Sequence, residues 1–489
     1  MRLQFGHFGE ATSREDFKFW RLEIFFDDLD NPLRVMSPEY GAIIRRFHQL
    51  RVPIKEIYVR ALCADFRQRL TQSRAAQPAP APLRSAGCLR GFWVMLLDNL
   101  LALLQGWTPV FHQQRSCARA ISLALGLLCG LGRRTVTRAI CFNNRQHQDW
   151  SADYKLFSRS RWDPRALFGP VIRRAIAQYC PKYIVVGLDD AGIKRSGKKV
   201  KTAQWLRDPL SPPFHINLIW AQRFLQASLL VPLYRFDRES SPRGLPIRFE
   251  EVTPVRKPGK KATKEQEAAY RQAKKTHNLS TAFVALLHEL RQCFDCHGFQ
   301  HKLLIAVGDG SFCNKTTFRQ ALARIVLITR ARKDLRLCMP HRGQGPRYYG
   351  KDIFTPEKVY QDPSIGWKEV KIFHGATYRK VRYKEVSQVL WQGGAGRRLL
   401  RLFALAPTPY RKTKTGRRYY RQKAYLLCDD NNLAAKVLLQ AYFDRWQIEI
   451  NHRDEKAILG VGNAQVWADL SVPPVPALMV ATYSPFATP

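Results

Sequence analysis

Hydrophobic and polar positions change period several times along the chain, and each change marks an element. Residues 88–179 carry helical spacing, and within them 119–140 reads as a helix, a Gly-Leu-Gly turn and a second helix that opens on Arg133 and Arg134 and carries Arg138. At 182–188 the pattern turns into an unbroken apolar run, Lys-Tyr-Ile-Val-Val-Gly-Leu, the mark of a buried strand, which ends in Asp189 and Asp190. Similar runs follow at 215–220, 226–234 and 302–307, the last ending in Asp309, and another lies at 325–329. Between them, 251–277 is rich in lysine and glutamine around a Pro-Gly and is expected to be a mobile basic excursion.

From 340 to about 425 short alternating segments such as 368–373 and 400–404 are separated by turns rich in glycine, proline and basic residues, which predicts a β-rich insert. A core strand returns at 424–428, and 432–456 has the spacing of one long amphipathic helix. Upstream, 1–72 shows weak periodicity, and the alternating Ala-Pro run at 75–82 reads as a semi-rigid linker. Five regions result: 1–85, an N-terminal region and linker; 86–179, helical and a candidate helix-turn-helix DNA-binding region; 180–339, the first part of an α/β core; 340–422, the insert; and 423–489, the end of the core with a short tail.

The 489 residues leave room for an enzyme-sized core, and 45% of them are hydrophobic. Charge narrows the partners. Eighty Lys and Arg against 39 Asp and Glu leave a net charge of +41 spread along most of the chain, which points to a polyanion, and with 11% aromatic residues to nucleic acid. Eleven cysteines are scattered without a framework, and the N-terminus has no basic segment followed by an apolar core, so reduced thiols and a cytoplasmic protein are expected. The apolar runs at 93–104 and 120–131 are too short to span a bilayer and are expected to be buried helices.

Three acids stand where chemistry is expected. Asp190 and Asp309 close two predicted strands, and Glu449 lies on the late helix; ligand sites in α/β layers form beyond the carboxyl edge of the sheet. Three hard oxygen donors without paired histidines or thiolates select Mg2+, with Mn2+ as a substitute, over zinc. On a helix of 3.6 residues per turn, Tyr442, Arg445, Glu449 and Lys456 fall within an arc of about 60°. An apolar core has no use for such a face, whereas DNA phosphates suit its arginine, lysine and phenol. Arg133, Arg134 and Arg138 are further candidates for phosphate contact. Asp429 and Asp430 are expected to serve as caps, and Cys293, Cys296 and His297 form only half of a zinc pattern. The basic, aromatic run at 411–421 reads as a hairpin tip able to enter a DNA groove.

Tyr-x2-Arg-x3-Glu-x6-Lys at 442–456, with Asp-Asp-Ala-Gly-Ile-Lys at 189–194 and Gly-Asp-Gly-Ser-Phe at 308–312 upstream, resembles the signature of cut-and-paste DDE transposases of bacterial insertion sequences, the IS-four-like group and its relatives. The resemblance spans roughly 88–467. It implies a ribonuclease-H-like core interrupted by a β-rich insert, with Asp190, Asp309 and Glu449 as catalytic metal ligands and Tyr442, Arg445 and Lys456 on DNA. It also implies double-stranded DNA partners (element ends and target), a homodimer in the synaptic complex, and action at the bacterial nucleoid. Ala191 and Ser311 stand where such proteins often have threonine and glycine, which leaves Asp189 and Asp190 as alternatives for the first ligand. Trp367 and Trp391 are candidates to stack a flipped base. Two other functions share these residues: a DNA-binding protein that has lost catalysis, and a ribonuclease-H-fold nuclease that cuts without joining. For the first of these, the short tail after the signature helix is expected to impair folding or assembly.

Overall fold

The computed structural model describes residues 98–488, apart from 131, 209–210, 213, 236–237, 260, 321, 342, 344–345, 376 and 412–415. The expected N-terminal region and linker, the start of the apolar run at 93–104 and part of the basic hairpin tip therefore lie outside the described residues.

The helical region holds α1 (Gln114–Cys129), α2 (Val136–Phe142), α3 (Ser151–Ser158) and α4 (Gly169–Tyr179). Helix, turn and helix fall where the spacing predicts them. The Thr135 hydroxyl caps α2 by accepting from the Arg138 amide, so this second helix starts at a fixed point.

The sheet follows, with β1 (Tyr183–Lys194), β2 (Gln204–Arg207), β3 (Leu218–Arg235) and β4 (Arg238–Glu251). Two helices then intervene, α5 (Lys264–Thr276) and α6 (Leu279–Cys296), before β5 (Leu303–Gly308) and β6 (Ile325–Ala331). The central order is β4-β3-β1-β5-β6, in which β1, β5 and β6 run parallel and β3 and β4 are antiparallel. The apolar runs at 215–220 and 226–234 are one 18-residue strand: the polar residues between them stay extended because β1 pairs with them from Ala221 onward.

Residues 251–277 depart from the expected excursion, since 264–276 is helical. Thr263 and Gln266 form a reciprocal capping box, Glu265 and Glu267 sit in the first turn, and Lys274 and Lys275 in the last. A helix with no buried residue is held by such end effects rather than by packing.

The expected insert is β-rich, with β7 (Leu337–Pro340), β8 (Tyr349–Phe354), β9 (Lys368–Phe373), β10 (Tyr378–Leu390), β11 (Leu399–Leu405), β12 (Pro409–Arg411) and β13 (Arg418–Tyr420). Most of it is continuous with the core: β14 (Ala424–Cys428) pairs with β6 on one side and β11 on the other, so the sheet grows to twelve strands. Phe403 and Leu405 accordingly share one apolar cluster with Ile305, Val307 and Leu426.

The long helix expected over 432–456 is two helices, α7 (Ala435–Asp444) and α8 (Trp446–Ala457), which meet at Arg445. Each half has a different partner. Leu438, Leu439, Ala441 and Phe443 of α7 enter the cluster over β5, β6 and β14, whereas Ile448, Asn451 and Glu455 of α8 are buried toward β1, β3 and β4. The tail forms α9 (Pro474–Ala487), which packs on β4 and α1; the Ser484 hydroxyl donates to the Pro246 carbonyl at 2.6 Å. Among the described residues no helix is long and apolar enough to cross a membrane.

Candidate active site

Strand alternation decides which acid faces which helix. Along β1, Ile184, Val186 and Leu188 are fully buried on one side, while Gly187 and Asp189 point to the other, where α8 lies. Glycine at 187 lets α8 come close, because a Cβ there would stand 2.4 Å from the Ile448 Cδ1. Gly244 on β4 plays the same part, with a would-be Cβ 2.8 Å from the Asn451 Nδ2 and 3.0 Å from the Gln447 Cβ.

Polar pairs then fix the rotation of α8. The Asn451 amide donates to the Ser228 hydroxyl at 3.0 Å, and the Gln226 amide donates to the Glu455 carboxyl at 2.8 Å. Ser228 and Gln226 lie opposite Gly187 and Asp189 in the β1–β3 register, so they share that face. Burial pushes the Glu455 carboxyl up to about 8, with the Gln226 hydrogen bond opposing. At neutral pH this side chain is a neutral acid.

With α8 so placed, the Arg445 guanidinium bridges Asp189 at 3.2 Å and Glu449 at 3.1 Å, tying β1 to α8 across 256 positions of sequence. Asp309 follows Gly308, the last β5 residue, which pairs with Leu188; it thus stands alongside Asp189 at the same edge. Burial raises the Asp189 carboxyl to about 6, opposed by Arg445, and the negative charges of Asp309 and Asp190 add to the rise. Asp190 turns to the other face, where the Arg223 Nε holds it at 2.9 Å. Its carboxyl is also raised by burial, opposed by Arg223, and it too feels Asp309.

Burial raises the Tyr442 hydroxyl above the usual phenol range, and Arg330, Arg445 and Asp309 lie within its electrostatic reach. Lys456, exposed on the last turn of α8, projects its charge toward Asp189 and Asp190. The structure therefore gathers Tyr442, Arg445, Glu449, Lys456, Asp190 and Asp309 at one edge of the sheet, and adds Asp189 and Arg223. Alternation in the run at 182–190 carried the signal for Asp189, because it shares a side with the small Gly187; Arg223 left no signal in sequence. His452 lies on the same helix face as Glu449 and Lys456. Its Nε2 is buried without a hydrogen-bond partner, and burial, helped by Lys456 and Arg445, pushes the imidazole down to about 3.

Other candidates lie elsewhere. Arg133 reaches the Asn463 carbonyl in the loop after α8 at 3.5 Å, and Arg134 donates to the Leu127 carbonyl of α1 at 3.0 Å. Arg138 is exposed on α2. Asp429 and Asp430 do not cap α7, whose N-cap Ala434 has no side-chain cap: Asp430 accepts from the Asn432 and Leu433 amides in the turn before it, and Asp429 accepts from the Leu327 amide on β6. Trp391 packs edge-on against Phe318, and Trp367 against Tyr360 with Arg382 and Lys384 over its ring. Asp295, between Cys293 and Cys296, is engaged by Arg291 and Arg324.

The sequence model of the DDE superfamily endonucleases matches residues 108–398. The chain belongs to that family. The match holds Asp189, Asp190 and Asp309, and α8 with Glu449 lies beyond its end. No curated protein matches the chain. DDE endonucleases act on DNA and in general depend on a divalent metal ion. In donor chemistry the residues of this DDE chain fit such an ion, because Asp189, Asp309 and Glu449 offer oxygen alone and the two aspartates repel each other until a cation stands between them. In position they are held apart by Arg445, and among the described residues no three His, Cys, Asp or Glu side chains form a ready cage.

Proposed function

We propose that this DDE endonuclease is a transposase, which binds the ends of its insertion sequence, cuts to free 3′-hydroxyls and joins them to target DNA. The observation that carries the reading is the Arg445 bridge between Asp189 and Glu449 beside Asp309, which unites acids far apart in sequence at one sheet edge. The order β4-β3-β1-β5-β6 supports a ribonuclease-H-like core, since β1, β3 and β4 form the antiparallel half and β5 and β6 the parallel half of such a sheet.

Asp189, Asp309 and Glu449 are the residues that would hold Mg2+ or Mn2+; the bound ion supplies Lewis-acid activation at the scissile phosphate. Arg445 has to leave the two acids when they take a cation, and its guanidinium is then free for a phosphate oxygen. Tyr442 keeps its proton and donates it in a hydrogen bond to the same backbone, and Lys456 adds a point charge. In the cut, water forms a new P–O bond, the P–O3′ bond breaks and the 3′-oxygen takes up a proton. In the joining step that 3′-hydroxyl attacks a target phosphate and displaces the target's own 3′-oxygen. Arg133, Arg134 and Arg138 on the α1–α2 hairpin bind duplex flanking the cut. The reaction assembles two copies of the chain on a pair of element ends, at the nucleoid in the bacterial cytoplasm.

Labelled element ends incubated with target plasmid and Mg2+ test the reading. Joined product is the expected outcome. Cleavage without joining would reassign the chain as a nuclease, and end binding without cleavage would make it a non-catalytic DNA-binding protein.

A further inference from the structure

β1 does not stop at its acids. It runs on to Lys194 and enters a loop in which Lys194, Arg195, Lys198, Lys199 and Lys201 make five of eight residues basic. Arg195 is structural, buried against Gln222 and the Ala464 carbonyl. The lysines face outward, and among the described residues two of them have acidic partners: Lys194 with Asp208 at 3.7 Å and Lys201 with Asp469.

Aromatic rings are interleaved with these charges. Trp467 is 62% exposed with the Lys199 ammonium over its ring at 5.2 Å. Trp205, on the short strand β2, is also 62% exposed and meets Trp220 edge-on at 5.6 Å. Phe214 in the next loop is 91% exposed. The segments are stitched together by Ser196 with Gln465, by Lys201 with Asp469 and by a small core of Val200, Ala203 and Val472, so the rings and lysines form one surface. It continues the candidate active site, because the Lys456 ammonium lies in the field of both Lys194 and Asp189. At about 3.3 Å per residue along β1, Lys194 stands roughly 16 Å from Asp189, the span of a few nucleotides.

We propose that this surface, built on residues 194–205 and 465–469, binds single-stranded DNA leading away from the cut. Solvent-facing rings beside unshared cations offer base stacking and phosphate contact together, a combination that duplex DNA, with its bases already stacked, does not use. A second copy of the chain would bring like charge against like charge here. The proposal rests on DNA being the substrate of this chain, and its test needs no cleavage.

Binding of a fluorescent 20-nucleotide single strand and of the corresponding duplex to the full-length protein is compared by anisotropy in EDTA. Trp467→Ala is expected to weaken single-strand binding about tenfold and to leave duplex binding within twofold. Trp205→Ala should act in the same direction, and Trp467→Phe should restore most of the affinity, which a merely structural tryptophan would not predict. Equal losses on both DNAs, unchanged single-strand binding, or a change in oligomeric state on gel filtration with DNA binding intact would each overturn the proposal. If the protein failed to cut DNA while Trp467→Ala still lost single-strand affinity, the proposed function would fall and this surface would stand.

Discussion

Asp189 and Asp190 are adjacent in sequence and opposite in orientation, and that difference assigns them separate work. Asp189 shares the face of α8 and meets Arg445, whereas Asp190 is bound by Arg223 on the other face. Removing a ligand weakens a cation site far more than removing a neighbouring charge. Asp189→Asn is therefore expected to lower Mn2+ affinity by about tenfold or more, and Asp190→Asn by about threefold or less, as read by isothermal titration. The reverse order would make Asp190 the ligand. Arg445 already pairs with two of the acids, so Arg445→Ala offers a useful comparison: it would free the proposed ligands while removing the proposed phosphate contact.

The pair α7–α8 shows why a single helical pattern became two elements. Both halves keep the 3.6-residue period, yet α7 answers to the β5–β6–β14 cluster and α8 to β1, β3 and β4, and the helix is interrupted at Arg445, where the partner changes. The rotation of α8 is set by Glu455, Gln226, Asn451 and Ser228, a buried polar ladder one turn beyond Glu449. Glu455 gives this ladder a dependence on pH. Its carboxyl titrates near 8 in the folded protein and near 4.5 when unfolded, so between these values the unfolded chain binds fewer protons and stability falls as pH rises. Glutamine keeps the acceptor for Gln226 and never ionises. Glu455→Gln should match the wild type in thermal stability near pH 4.5 and exceed it near pH 8, by on the order of 4 kcal/mol. A stability difference that does not change with pH would show that Glu455 is ionised in the fold.

Taken as a whole, the described chain is tied together from its last helix. Residues of α9 pack between α1 and β4, so the helical region and the sheet share one interior, and Leu478 and Met479 meet Leu123, Leu127, Val136 and Phe157 there. Leu478 is only 1% exposed. Leu478→Ala should cost about 2–5 kcal/mol in chemical denaturation, and the loss should appear in one cooperative transition rather than in release of the helical region alone. Two separate transitions would mean that α9 does not couple them. Surface charge acts at the same extent: basic residues cluster at 194–201 and at 418–421, where Arg421 stands over the Trp446 ring at the start of α8, and on the proposed function both would meet the phosphate backbone.

The amino-acid order alone determined the strand runs at 182–188, 302–307 and 325–329, the helix-turn-helix spacing of α1 and α2, the basic charge, and the candidates Asp309, Glu449, Tyr442, Arg445 and Lys456, because period, composition and motif spacing are local properties. Helix 264–276 was hidden by its polar composition, since end capping leaves a weaker mark than an apolar stripe. Only the tertiary structure decided that the insert strands extend the core sheet, that the late helix divides at Arg445, that Arg223 holds Asp190, and that Asp189 faces the side of α8. Each of these depends on which distant segment lies alongside, and strand register and helix docking are settled by contacts between residues far apart in the chain, 256 positions for Arg445 and Asp189.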